Sequence, residues 1–142
     1  MTSNALHVEL LNLAAQVLAA NPDAPPVAGI MVNQTLALGR VVDMQLRDLN
    51  NDPAVIAEWA SRLNSPVHLR NRGSYVQVDI SWATTTPTGH AAVIRVWNHL
   101  ASRVADQLLR AAGVAFRNAT VVLSVDQVQS ASARMQAQAV TA

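Results

Sequence analysis

Cysteine is absent from the 142 residues, which excludes disulfides, thiolate metal sites and a cysteine nucleophile. Lysine is absent too, so all ten basic residues are arginine. An all-arginine set suits planar, bidentate contacts, and a genomic bias toward G+C-rich codons produces the same composition. Charged residues make up only 13% of the chain, against roughly 25% in an ordinary soluble domain. A monomer of this size ordinarily needs more solvated charge to stay dispersed. Either much of the surface is small and neutral, or part of it is buried against other subunits. The composition therefore points to a homo-oligomer. The formal net charge of +1 gives no global pull toward nucleic acid or anionic membrane. No apolar run reaches the ~18 residues that would span a bilayer. The first residues carry Glu9 and no basic leader, which is not the pattern of a secretory signal, and a cytoplasmic protein with no membrane contact is expected.

The richest stretch is 66–98, PVHLRNRGSYVQVDISWATTTPTGHAAVIRVWN, which reads as a three-stranded antiparallel meander. Val76, Val78, Ile80 and Trp82 alternate with Tyr75, Gln77, Asp79 and Ser81, the pattern of a strand with one face on a core and one facing water. With Arg72-Gly73 as a two-residue hairpin loop, Leu69 faces Val76, Val67 faces Val78, Arg70 stands opposite Tyr75 and His68 opposite Gln77. Downstream, a longer turn around Pro87 and Gly89 aligns Ile94 with Ile80 and Val96 with Val78. It also pairs Arg95 with Asp79 and Trp97 with Gln77. A one-residue slip would bury Arg95, so the apolar pattern selects the face. The outer face then holds His68, Arg70, Tyr75, Gln77, Asp79, Arg95 and Trp97. Arginine beside aromatics can stack on bases, grip phosphate or anchor a protein partner. The other reading is structural: a cross-strand ion pair, with the aromatics sitting under a helix or the N-terminal hairpin.

Around the meander, Leu6, Leu10, Leu13 and Val17 form the stripe of a helix over about 4–20, stopped by Asn21-Pro22 and Pro25-Pro26. His7 lies at the rim of that stripe. A strand over 27–32 turns at Asn33-Gln34 into 36–46, giving a hairpin over about 27–46. Leu38, Val42, Leu46 and Leu49 in the second half fit a helix equally well, and Gly39 with the neighbouring valines favours the strand. Asp52-Pro53 opens a second helix as cap and first helical residue, burying Val55, Ile56, Trp59 and Leu63. A third helix spans about 98–112, with Gly113 as its cap and Arg103, Asp106 and Arg110 on its solvated side. A last strand runs over 119–125. The expected architecture is an α+β domain over 1–128 in the order αββ-αβββ-αβ, an antiparallel sheet against helices. A tail over 129–142 follows, disordered or helical on assembly.

The opening αββαβββ order is similar to the cone-shaped folds of the nuclear transport factor type, from which the third helix and final strand depart. Separately, Trp59-Ala60 with Leu63, followed by Val93 and Val96-Trp97, resembles a pattern in small proteins of high-G+C actinobacteria and their phages. There, a helix ending in Trp-Ala-x-x-Leu precedes strands finishing in Val-x-Val-Trp. The resemblance covers about residues 59–100 and implies no activity.

A catalytic motif is lacking. The four histidines are scattered, with no HExxH, phosphate loop or nucleophile elbow. His90 and His99 bracket one strand and need a third ligand to hold a metal. His68 with Asp79 resembles a dyad whose one candidate nucleophile is Ser81, and it is read as coincidence. No cofactor, metal or catalytic residue is expected. The leading expectation is a non-enzymatic, self-associating structural or adaptor protein with a possible protein partner and phage-like relatives. The alternatives are a small nucleic-acid-binding regulator using Arg70, Arg72, Arg95, Tyr75 and Trp97, and a cone-like ligand-binding domain or enzyme.

Overall fold

The structure, a computed structural model, describes residues 3–48 and 51–141. Its elements run α1 (Ser3–Ala20), β1 (Val27–Thr35), β2 (Gly39–Leu46), α2 (Pro53–Leu63), β3 (Val67–Asn71), β4 (Tyr75–Thr85), β5 (Ala91–Ala101), α3 (Ser102–Ala112), β6 (Thr120–Leu123) and α4 (Val125–Thr141). The fold is α+β: one six-stranded sheet in the order β1-β2-β5-β4-β3-β6, with the helices packed on one face. None of the described helices is long and apolar enough to cross a membrane.

The expected antiparallel sheet is in fact mixed. Every neighbouring pair is antiparallel except β2 and β5, which run parallel and align Val41 with Val93 and Gln45 with Trp97. The reason is topological. The chain leaves β2 through α2 on the helix side, builds the meander outward-in, and brings its last strand back against β2. Asp48 holds this junction: its carboxylate accepts from Asn98 Nδ2 at 2.8 Å and from the Asp52 backbone N–H at 3.0 Å.

The first helix keeps its expected stripe, burying Leu10, Leu13, Ala14 and Val17, and Asn21 Nδ2 donates to the Val17 carbonyl at 2.9 Å as the chain leaves it. The hairpin of β1 and β2 forms, but its turn falls at 36–38 rather than at Asn33-Gln34. Leu49, the last member of the alternative helical stripe, lies outside the described residues. Asp52 caps α2, its Oδ1 accepting from Ala54 N–H at 2.9 Å, with Pro53 in the first turn. Trp59 of this helix is fully buried and donates Nε1–H to the Pro25 carbonyl at 2.9 Å. The third helix starts at Ser102 rather than 98, because Asn98 to Ala101 continue β5 beside β4. Its Arg103, Asp106 and Arg110 are solvated and Gly113 (φ 73°) is its cap, as read from the sequence. The segment 129–141 belongs to helix α4, which packs against α2 and α3 and buries Val128, Ala131 and Ser132.

Both meander registers differ from the expected ones by two residues. Gly73-Ser74, not Arg72-Gly73, is the tight loop. Arg72 N–H donates to the Tyr75 carbonyl at 3.0 Å, and Gly73 takes φ 92° at the first central position, where an L-residue is strained. Leu69 therefore faces Val78, Arg70 faces Gln77 and His68 faces Asp79. The second turn is closed by Thr86, whose N–H donates to the His90 carbonyl at 2.8 Å while its Oγ1 accepts from His90 N–H at 3.0 Å. Ile80 then pairs with Val96, Ser81 with Arg95 and Asp79 with Trp97. A shift of two preserves which side chains share a face.

That second turn is tied to α1 by a buried carboxylate. Glu9 Oε1 accepts the Thr88 backbone N–H at 2.8 Å and the Thr88 hydroxyl, with His90 Nδ1 3.7 Å from Oε2. The Thr88 hydroxyl holds the Glu9 carboxyl below its ordinary range against the opposing effect of burial, helped by Thr86, the Thr88 N–H and His90.

Candidate interaction surface

Period-two alternation places every other residue of each strand on the face opposite the helices. There the registers bring together His68 and Arg70 from β3, Tyr75, Gln77, Asp79 and Ser81 from β4, and Arg95, Trp97 and His99 from β5. The hairpin adds Asp43 and Gln45 from β2 and Met31 and Asn33 from β1. All seven residues picked from the sequence thus share one face. The single hydrophobic core cluster and the helices lie on the other, so no described helix covers Tyr75 or Trp97.

The charge pairing is not the expected one. Arg95 does not meet Asp79; its Nε donates to Asp43 Oδ1 at 2.5 Å, across the parallel seam where the two residues are register partners. Asp79 instead accepts from Arg70 Nε on Oδ2 at 2.9 Å. Its side chain is only 1% exposed although no helix lies above it, because it sits mid-sheet among larger neighbours. Its Oδ1 and the Nδ1 of His68 are buried without a hydrogen-bond partner. His68 stands directly across from Asp79, yet the carboxylate serves Arg70 and no His68–Asp79 hydrogen bond forms. Ser81 is exposed and opposite Arg95, so the dyad reading gains no nucleophile. His90 immediately precedes β5 and His99 lies near its far end, about 30 Å apart at the rise of a strand, too far to share an ion. No group of three metal-binding side chains occurs among the described residues.

The aromatic part is a stack of three rings. His99 lies 4.2 Å from Tyr75 and 5.1 Å from Trp97 by ring centroids, tilted by 35° and 47°, within the range of favourable ring pairs. Partial desolvation lowers the pKa of His99, although the residue stays exposed, so the neutral imidazole is favoured. His99 escaped the sequence reading because it was assigned to a helix, and Asp43 because nothing local announces that β2 neighbours β5. The alternation of Val42, Asp43 and Met44 was a usable signal for the facing of Asp43. Beside the rings, a shallow groove of about 430 Å³ runs between Trp97, Arg95, Asp43, Gln45, Met31 and Asn33.

No family model, curated protein or solved structure matches the chain significantly. The chemistry of the face therefore rests on its geometry. Two guanidinium groups are each matched by a carboxylate, so Arg70 and Arg95 are balanced by Asp79 and Asp43. Such a face is amphipathic and near neutral, carrying tryptophan, tyrosine, methionine and arginine, the residues enriched at the centres of protein interfaces.

Proposed function

We propose that the chain is a cytoplasmic, non-enzymatic structural or adaptor protein that self-associates through the helix-free sheet face. One observation carries this reading: the arginines of that face are already ion-paired, while Met31 and His99 are exposed and Tyr75 and Trp97 half-buried beside them. Guanidinium groups held by carboxylates attract little further anionic charge, which weighs against phosphate as the natural occupant. The low charge of the whole chain agrees with a surface that is partly covered in solution. A cone-like ligand site would need space between sheet and helices; the centre of that layer is filled by Trp59, Met44, Ile80, Ile94 and Leu108, all fully buried, and the space left is a peripheral cleft of about 460 Å³ between α1 and the β1–β2 hairpin.

The test is absolute mass by light scattering at low and high salt, for the wild type, Trp97→Ala and Arg95→Ala. A salt-resistant oligomer that loses mass in both variants is expected. A wild-type monomer, retained on heparin and released steeply by salt, would move the assignment to the nucleic-acid reading through Arg70, Arg72 and Arg95.

A further inference from the structure

The two edges of the sheet are unlike. At one end β6 has only four residues and leads straight into α4, a short edge of the kind that resists pairing. At the other end β1 has nine, VAGIMVNQT, with no charge and no proline. It pairs with β2 on one side only, and no other hydrogen bond among the described residues reaches its outer edge. A single register irregularity lies between Val27 and Gly29; from Gly29 to Thr35 the strand is regular. Lysine, inward charge, proline and mid-strand bulges are the usual protections of an edge, and this run has none of them.

The same hairpin concentrates exposed apolar side chains. Met31 is 63% exposed on the helix-free face, Ile30 is 40% exposed on the other, and Leu36 and Leu38 of the turn stand in solvent. Open backbone donors and acceptors call for an extended chain as partner. The absence of charge along β1 means that a second copy of the same strand meets no like-charge repulsion.

We infer that β1 pairs antiparallel with β1 of a second copy about a two-fold axis, joining both sheets into one. Full overlap of the regular run centres the axis on Val32. It sets Met31 against Asn33 of the partner subunit and Ile30 against Gln34 of the partner subunit. Leu36 then falls opposite Ala28 of the partner subunit. The inference rests on the self-association proposed above and names a contact for it distinct from the ring cluster.

Because the chain has no cysteine, a single engineered one reports the contact. Val32→Cys on the axis should form an interchain disulfide under mild oxidation, since facing residues of antiparallel strands lie within disulfide reach. Val122→Cys on the β6 edge should not. Ile30→Lys and Gln34→Lys, both at exposed positions off the helix-free face, should keep the circular dichroism of the wild type while at least halving the assembled mass. An oligomer that persists in both lysine variants, with no Val32→Cys cross-link, overturns edge pairing and leaves self-association standing. A wild-type monomer overturns both.

Discussion

Three side chains set the pH and stability behaviour. Glu9 has its pKa held down in the folded state, so its contribution is present above the ordinary carboxylate range and is lost as pH falls through the folded value. Glu9→Gln should flatten the acid limb of the stability profile in denaturant titrations from neutral pH to pH ~3. His99 acts in the same direction for another reason. Partial desolvation disfavours its charged form, so the unfolded chain takes up a proton first. Stability should then decline as pH drops below ~6.5, and His99→Phe should remove that decline while keeping ring contacts with Tyr75 and Trp97. Asp79 is buried and bound to a partly exposed Arg70. Asp79→Ala removes the partner of a guanidinium that water still reaches, at a cost of about 1 kcal/mol or less, readable as a slightly lower urea midpoint with unchanged slope. Asp79→Asn should recover part of that loss.

At the scale of elements, the cap of α2 gives the cleanest test. Asp52→Ala removes the Oδ1 acceptor of Ala54 N–H and should cost about 1 kcal/mol. Asp52→Asn should retain most of the cap. Helices α1 and α2 and the two faces of the meander were legible because their signals are local: stripes of leucine, an Asp-Pro start and strict alternation of Val76 to Trp82. The registers were less legible. Whether Gly73 fills the first or second central position of its loop moves the pairing by two residues without altering which face is apolar, so the apolar pattern cannot choose between them. Strand order was not legible at all. Val41 and Val93 are register partners far apart in the chain, with a helix and two strands between them. The helical run of α4 was obscured by its buried residues, since Ala131 and Ser132 are small and carry a faint apolar signature. The seven residues read onto one sheet face do share it, while its ion pairs had to wait for the fold.

For the whole molecule, the parallel seam between β2 and β5 divides the chain into two pieces that are each local in sequence. Residues of α1, β1 and β2 form one, and those from α2 onward form the other. Inside each piece the hairpin strands are joined by short turns, with β6 following α3, and between the pieces the sheet is closed by one ladder, the Asp43–Arg95 pair, the Asp48–Asn98 and Trp59–Pro25 hydrogen bonds and the Glu9–Thr88 tie. Joining such distant segments carries a large loop-closure cost and is slow relative to hairpin formation. The meander should therefore gain amide protection first in pulse-labelling during refolding, with β1 and β2 protected in a later phase. Until that later phase, the inner edge of β5 lies bare, two residues longer than β1 and uncharged except for Arg95. A nascent or heated chain thus offers its neighbours a vacancy in mid-sheet, and the N-terminal piece of one molecule can fill it in another. Exchange of that piece between copies is the characteristic hazard of this topology, and its yield should rise with protein concentration during refolding.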